Sequence, residues 1–320
     1  MQDRLSGVDT MKGLLTIAAL MAVISCPVSA LAAPERTSSP VEIRTGDVAL
    51  FYQIYDAAAG APAGPALQRA YIDGGSDGVR QFVPNRIVSG AHLAEVVASE
   101  RQHYEDARRC VEALPGVKEQ LEQAFLRLAK LVPDAAFPPV TILIGADNSG
   151  GTTGPSGVLI GLEVACRADW LGSDVTQRLV HLIAHEYGHV EQPAELDSEV
   201  EPGTVLRASL VEGVAELVAE LISGDVSNAH LAVWTRGREK EIDERFLRDA
   251  NDTDLSHWLY NGVGTPSDPG DLGYWVGYRI ARAYYDKSAD KRAALKTLLA
   301  LKDPQGVLTS SGWTPGMTIQ

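Results

Sequence analysis

The stretch "LVHLIAHEYGHVEQ", residues 179–192, carries three histidines at regular spacing and decides how the rest of the chain is interpreted. His181, His185 and His189 follow one another at intervals of four residues. Residues four apart lie on one face of an α-helix, one turn above each other. Asp174, with Gln177 three residues later, is a typical helix start, so we expect a helix from about residue 174 to 191.

His185, Glu186 and His189 form the pattern H-E-x-x-H. On a helix the two histidines converge on one point, where their ring nitrogens can bind Zn²⁺ at about 2.1 Å. Glu186 lies beside them and is placed to act as a general base. His181 is eight residues from His189, about 12 Å along the helix axis, so both cannot bind the same ion. We therefore interpret His181 as a packed residue outside the ligand set.

A catalytic zinc site needs a third protein ligand, and the next predicted helix, residues 204–223, offers Glu212. Glu216 lies one turn further on the same helix face, where a carboxylate can orient a ligating histidine. The alternative is that both are solvated residues of an exposed helix face. The neighbouring residues are apolar, which predicts burial, and buried carboxylates need partners. The sequence therefore predicts His185, His189 and Glu212 as ligands, with Glu216 behind them.

These residues resemble the gluzincin metallopeptidases, which combine H-E-x-x-H with E-G-x-A on the following helix. The closer resemblance is to a bacterial family of predicted zinc-dependent proteases of undefined substrate, related to a gliding-motility lipoprotein family. The resemblance implies an α+β, mostly helical fold with a small sheet whose edge strands flank the active-site helix. The segments that carry it are residues 70–87, 137–163, 185–189, 212–224 and 271–287.

A peptidase also needs a hydrogen-bond donor for the oxyanion that forms at the scissile carbonyl. Gluzincins have a tyrosine or histidine donor downstream of the third ligand, and Tyr274 and Tyr278 lie at a comparable distance here. They are four residues apart and share a helix face, and we expect one of the two to face the zinc. The alternative is that both are aromatic core residues. His230 and His257 are weaker candidates.

Glu163 marks a departure from the aminopeptidase branch of the gluzincins. Those enzymes bind the substrate's amino terminus with a G-x-M-E-N strand, whereas this sequence reads "GLEV" at residues 161–164. The methionine and the asparagine are missing, so we expect a structural strand here rather than a site for a free amino terminus.

The amino-terminal residues indicate export. Lys12, an apolar run and a small-residue site ending at Ala32 predict a signal peptide over residues 1–32. A lipoprotein anchored at Cys26 is the alternative. Residues 33–45 are predicted to be a flexible leader, and residues 46–320 a single metallopeptidase-like domain without a transmembrane helix. Zn²⁺ is the expected cofactor.

Two cysteines, Cys110 and Cys166, remain after the predicted cleavage site. In an exported protein they can form a disulfide, and two buried free thiols are the alternative. The net charge of −14 argues against nucleic acid as a partner, because little in the chain would neutralise phosphates. A hydrophobic content of 45% is that of an ordinary globular protein.

The order of the other predicted elements is helices, a small sheet, then helices again. A short apolar run at residues 138–145 and a second at 157–165 predict strands, with a turn-rich loop over 146–157 between them. Continuous helices are expected over residues 91–114, 116–132 and 228–247. Runs of helical pattern near residues 271–287 and 290–301 complete the chain.

The sequence thus predicts an exported zinc metallopeptidase that acts on a peptide or protein substrate. One alternative is a zinc amide hydrolase acting on cell-wall peptides. Another is a non-catalytic binding or assembly protein built on the same fold. Glu186 argues against the last, because a purely structural metal site does not need a general base.

Overall fold

The computed structural model describes residues 41–196 and 203–318. The predicted signal peptide, residues 1–32, lies outside the described residues, as does most of the predicted leader. The leader prediction is wrong at its end, because Ile43–Arg44 form a strand that pairs with Val140 and Thr141. Backbone pairing with an interior strand overrides the polar composition of this segment. Within the described ranges, no helix has the length and apolar content that spanning a membrane requires.

Among the described residues the small sheet has four strands, in the order β1-β2-β4-β3: β1 (Ile43–Arg44), β2 (Val140–Leu143), β3 (Gly151–Gly154) and β4 (Gly157–Gly161). β1 pairs with β2, and β2 pairs with β4, in parallel, whereas β3 and β4 form an antiparallel hairpin. β2 and β4 are fully buried, and β3 is one edge of the sheet.

Two predictions about this region are wrong. The turn-rich loop at residues 146–157 contains β3, whose Gly-Thr-Thr-Gly sequence is typical of a turn and becomes a strand by pairing with β4. The second predicted strand ends at Gly161, because Leu162 begins a helix. Glu163 on that helix is buried and accepts hydrogen bonds from the backbone N–H groups of Gly145 and Asp147.

In the described residues from 41 onward, six α-helices precede β2. The predicted continuous helix over residues 91–114 is broken at Glu100, whose backbone leaves the helical region. The break redirects the chain so that Tyr104 and Cys110 of the next helix are buried, and Cys110 forms a disulfide with Cys166. The helices are α1 (Gly46–Ala57), α2 (Gly64–Ala66), α3 (Asp77–Phe82), α4 (Gly90–Ser99), α5 (Arg101–Cys110) and α6 (Leu114–Leu131).

The remaining helices follow the sheet. The predicted helix over residues 228–247 is two helices, because Gly237 at φ 82° turns the chain between them. A last helix, α14, was not predicted. The helices are α7 (Leu162–Arg167), α8 (Val175–Val190), α9 (Val205–Ser223), α10 (His230–Trp234), α11 (Glu239–Asp249), α12 (Leu272–Lys287), α13 (Lys291–Ala300) and α14 (Pro304–Ser311).

Helix α9 is at the centre of the core, and it packs against α8 on one side and α12 on another. The side chains of Asp174 and Thr204 cap the first turns of α8 and α9, and Gly224 ends α9 in the left-handed conformation. α8 also contacts the edge strand β3. The mostly helical α+β prediction is confirmed, and β3 is the edge strand that lies against α8.

Candidate metal centre

Three side-chain atoms from α8 and α9 meet at one point. Nε2 of His189 lies 3.1 Å from Nε2 of His185 and 3.2 Å from Oε2 of Glu212. The third side of the triangle, from Nε2 of His185 to Oε2 of Glu212, measures 3.3 Å. His185 and Glu212 are buried and His189 is partly exposed, so the cluster reaches solvent at His189. The structure therefore brings the three predicted ligands together.

The triangle has the dimensions of a zinc site. Zn²⁺ with nitrogen and oxygen ligands is tetrahedral with bonds of about 2.0–2.1 Å, so its ligand atoms are about 3.3 Å apart. The observed separations of 3.1, 3.2 and 3.3 Å agree with this value. Two imidazoles and one carboxylate are also ligand types that zinc prefers, and three ligands leave one position open. The side chains of His185, His189 and Glu212 therefore fit Zn²⁺ in both ligand type and spacing.

The charges in this cluster attract a cation. Burial by itself lowers the pKa of His185, but the carboxylates of Glu216 and Glu212 outweigh burial and raise it. The same balance of burial and the Glu212 carboxylate raises the pKa of His189. Burial opposes ionisation of Glu212, yet the two histidines lower its pKa below the ordinary value. A buried negative charge between two ring nitrogens is thus stabilised by a bound proton or a metal ion.

Glu216 lies behind His185, as predicted. Its Oε1 is 3.3 Å from Nδ1 of His185, a close charge contact that is poorly aligned for a hydrogen bond. Ser227 fixes this carboxylate with its backbone N–H at 2.6 Å and its hydroxyl at 2.9 Å. The side-chain amide of Asn228 donates a further bond of 2.7 Å. Glu216 is therefore held in place for the outer nitrogen of His185.

Gln192 has the corresponding role for His189, and the sequence interpretation missed it. Nδ1 of His189 lies 2.9 Å from Oε1 of Gln192, and Nε2 of Gln192 donates to the carbonyl of Val211 at 2.8 Å. Since the carbonyl can only accept, the amide oxygen must face His189, so Nδ1 donates. With a metal ion in place of the shared proton, the inner nitrogen would present its lone pair to the ion. Gln192 is three residues after His189, a helical spacing that could have identified it.

Glu186 is buried beside the cluster, between α8 and the edge strand β3. The hydroxyl of Thr153 lies 3.0 Å from its Oε2. The carboxylate is therefore adjacent to the three candidate ligands without being part of their triangle, which is the arrangement that the pattern H-E-x-x-H predicts.

The structure separates the two predicted oxyanion donors. The ring of Tyr274 stacks on that of His185 with centroids 6.0 Å apart, and burial, reinforced by the charge of Glu212, raises its pKa. Tyr274 therefore keeps its proton beside the cluster. Of the two alternatives, Tyr278 does not face the cluster, because its hydroxyl donates to Glu220 at 2.9 Å. Tyr278 lies one helical turn beyond Tyr274 and contacts instead the partly buried ion pair that Glu220 forms with Arg282.

Tyr260 is a second residue that the sequence interpretation missed. Its hydroxyl donates to Oε1 of Glu212 at 2.7 Å, while its ring packs edge-to-face on that of Tyr274. The residue is 51% exposed and has a φ of 58°, so a strained loop carries it over the site. Tyr260 thus hydrogen-bonds to Oε1 of Glu212, whereas Oε2 is the oxygen that lies in the triangle of candidate ligand atoms.

Three further histidines, His181, His230 and His257, lie outside the cluster. Nδ1 of His181 is 2.8 Å from the hydroxyl of Ser223, away from the candidate ligands, as expected for a packed residue. The ring of His230 packs on Trp234, and burial lowers its pKa to about 4. His257 is exposed on the loop before Tyr260. None of these three belongs to the candidate metal cluster.

Glu163 is buried in the first turn of α7, where its carboxylate contacts backbone groups. It is fully buried, burial raises its pKa to about 7, and its two oxygens face the N–H groups of Gly145 and Asp147. A structural role, as the sequence predicted, accounts for all of these contacts.

Comparison with known families supports the zinc assignment. Residues 167–302 match the sequence model of a family described as "Predicted Zn-dependent protease (DUF2268)". The matched segment is less than half of the chain and contains both histidines of the motif, Glu212 and Tyr274. The match confirms the resemblance to predicted zinc-dependent proteases. The matched segment does not include the strands of the sheet. Searches of curated proteins and of solved structures found no match.

Proposed function

We propose that this protein is an exported zinc-dependent peptidase whose active site is the cluster of His185, His189 and Glu212 with Glu186. The observation that carries the proposal is the triangle of ligand atoms, 3.1–3.3 Å on each side, with a carboxylate beside it. The match of residues 167–302 to a family of predicted zinc-dependent proteases supports it.

In this proposal each residue has one task. His185, His189 and Glu212 would hold Zn²⁺, which when bound acts as a Lewis acid that makes water more acidic. A carboxylate oxygen of Glu186 takes a proton from the water molecule that attacks the peptide carbonyl carbon. Glu186 then transfers this proton to the amide nitrogen as the peptide bond breaks. Tyr274, protonated beside His185, supplies a donor for the carbonyl oxygen as negative charge develops on it.

The position of β3 favours a peptide as the substrate. β3 is an edge strand that, among the described residues, pairs only with β4. Extended peptides bind to such edges through backbone hydrogen bonds. Thr153 of β3 contacts Glu186, so a peptide paired with this edge would pass close to the proposed general base.

Export is proposed from two features. The predicted signal peptide is one, and the disulfide between Cys110 and Cys166 is the other. Disulfides persist mainly in oxidising compartments such as the periplasm or the extracellular space. The disulfide joins α5 to α7, directly before the metal-binding helix α8.

The test is digestion of a peptide library that includes cell-wall crosslink peptides, with and without a chelator. Purified protein should bind about one zinc per chain and cleave peptides only in its presence. Glu186→Gln should bind zinc like the parent and cleave on the order of 10² to 10⁴ times more slowly. His181→Ala is the matched histidine control and should keep both zinc and activity.

Cleavage confined to wall peptides would favour the amide-hydrolase alternative. A folded, zinc-loaded parent that cleaves nothing, with a biological role that survives Glu186→Gln, would favour the binding-protein alternative and refute the proposal.

A further inference from the structure

The edge strand β3 contacts the proposed general base with alternate residues. Thr153 directs its hydroxyl toward Glu186, where it lies 3.0 Å from Oε2 and 3.2 Å from the main-chain oxygen. A hydroxyl has a single proton, and an ionised carboxylate is the stronger acceptor. Thr153 therefore donates to the side chain of Glu186.

Gly151, two residues earlier on the same strand face, confines the other oxygen of the carboxylate. A Cβ atom at this position would lie 2.6 Å from Oε1 of Glu186, so the carboxylate occupies the space that any side chain would fill. The carboxylate is thus held by a hydrogen bond at one oxygen and by the backbone of the strand at the other.

Thr153 is suited to this task because its branched side chain restricts rotation about χ1. Its strand neighbour Thr152 points to the opposite face, where its hydroxyl accepts a bond of 2.9 Å from Arg86. Two adjacent threonines of one strand thus differ only in the face to which they point, and only one of them contacts Glu186.

We propose that Thr153 is the positioning residue of the active site, and that its hydroxyl holds the Glu186 carboxylate in the orientation that proton transfer requires. This proposal rests on the proposed peptidase function. A glutamate side chain has several rotatable bonds, and a misplacement of about 1 Å in an active site can cost on the order of 100-fold in rate. Thr153 acts through Glu186 and does not itself contact the substrate.

The experiment compares three variants by steady-state kinetics on a peptide that the parent cleaves. Thr153→Val keeps the shape of the side chain and removes the hydroxyl, so kcat should fall about 10- to 100-fold with little change in KM or in zinc affinity. Thr153→Ser restores the hydroxyl and should recover most of kcat. Thr152→Val, the control on the opposite face, should keep the parent's kcat. Thr153→Ala replaces the valine variant if that variant does not fold.

Double variants test whether the effect passes through Glu186. In a Glu186→Gln background, Thr153→Val should have almost no further effect on the residual rate. A second cycle needs no activity and uses urea unfolding of the protein in EDTA. Thr153→Val should lower the unfolding midpoint of the parent more than that of a Glu186→Ala variant, because the parent loses the bond to the carboxylate, whereas the alanine variant offers the hydroxyl only the main-chain oxygen at 3.2 Å.

The outcomes are distinguishable. A parent without zinc-dependent cleavage overturns the proposed function, and the positioning role falls with it. An active parent whose Thr153→Val variant has the parent's kcat overturns the positioning role alone. So does a Thr153→Val variant that loses equal activity in both backgrounds, or a serine variant that recovers nothing.

Discussion

Replacement of Gly188 by alanine is expected to open the metal site without changing any ligand. Gly188 lies between the two histidines of the motif and faces α9. A Cβ atom at Gly188 would be 2.5 Å from Cα and 2.9 Å from Cβ of Ala215. Carbon atoms in contact prefer about 3.5–4.0 Å. Because the opposing atoms belong to a helix backbone, relief requires α8 and α9 to separate by about 1 Å.

Two opposing effects set the size of the change in stability. Alanine is favoured over glycine in a helix by about 1 kcal/mol. Overpacking of a well-packed core costs about 1–3 kcal/mol, and the upper part of this range applies because backbone atoms cannot rotate away. The metal-free protein should therefore lose about 1–2 kcal/mol of unfolding free energy.

The effect on zinc follows from the same separation of helices. His189 and Glu212 lie on different helices, with Nε2 and Oε2 3.2 Å apart. A shift of about 1 Å takes this distance beyond the roughly 3.3 Å of a tetrahedral site. We expect zinc affinity to fall at least about 10-fold, the lower end of what is lost when support around a metal site is removed.

Urea unfolding in EDTA measures the loss of unfolding free energy, and competition with a chromophoric chelator measures the loss of zinc affinity. Gly116→Ala is the control, because a Cβ atom at Gly116 on α6 would meet nothing closer than 3.6 Å, an ordinary contact. That variant should bind zinc like the parent and be equally or slightly more stable. If Gly188→Ala behaves like Gly116→Ala in both assays, the close helix contact does not determine the ligand geometry.

Two further predictions concern a donor and a buried acid. Tyr274→Phe should lower kcat on the order of 10²-fold or more, as loss of one oxyanion donor does, whereas Tyr278→Phe should leave kcat unchanged, because that hydroxyl is bound to Glu220. Equal kinetics for both variants would remove Tyr274 from the mechanism. Burial raises the pKa of Glu163 in the folded protein to about 7, above its ordinary value of 4.5. The contribution of this group to stability is therefore fully present below pH 4.5 and is lost as the pH rises through 7. The loss amounts to about 3 kcal/mol. In EDTA, the unfolding free energy of Glu163→Gln should therefore change less between pH 5 and pH 8 than the parent's, and an equal change would contradict the assignment.

The sequence was most informative where the chemistry depends on helical spacing. His185 and His189 come together because one turn of α8 separates them, and the buried face of α9 then selects Glu212 and Glu216. Each of these placements needs only the period of a helix and the rule that buried charges need partners. Their proximity in the structure follows from those two constraints, and their role as ligands remains a prediction.

Helical spacing does not predict the position of a residue that a loop, a tertiary contact or strand pairing determines. Tyr260 reaches Glu212 from a loop, at a positive φ that no periodicity predicts. Tyr278 has the same helical phase as Tyr274 within 40°, but one turn takes its hydroxyl to Glu220 instead. The glycines that flank the two threonines of β3 predict a turn, and only pairing with β4 makes this segment a strand.

The contacts between helices explain why the site needs more than its polar residues. Gly188 precedes His189 and packs on Ala215 of α9, which allows the histidines to approach Glu212. Gly213 follows Glu212 and packs on the backbone of Gly277 in α12. Since Gly277 is about one turn after Tyr274, this second contact draws the tyrosine toward His185. A larger residue at either glycine would separate the helices while leaving every ligand in the sequence, so the two glycines determine the geometry of the site as directly as the ligands determine its chemistry.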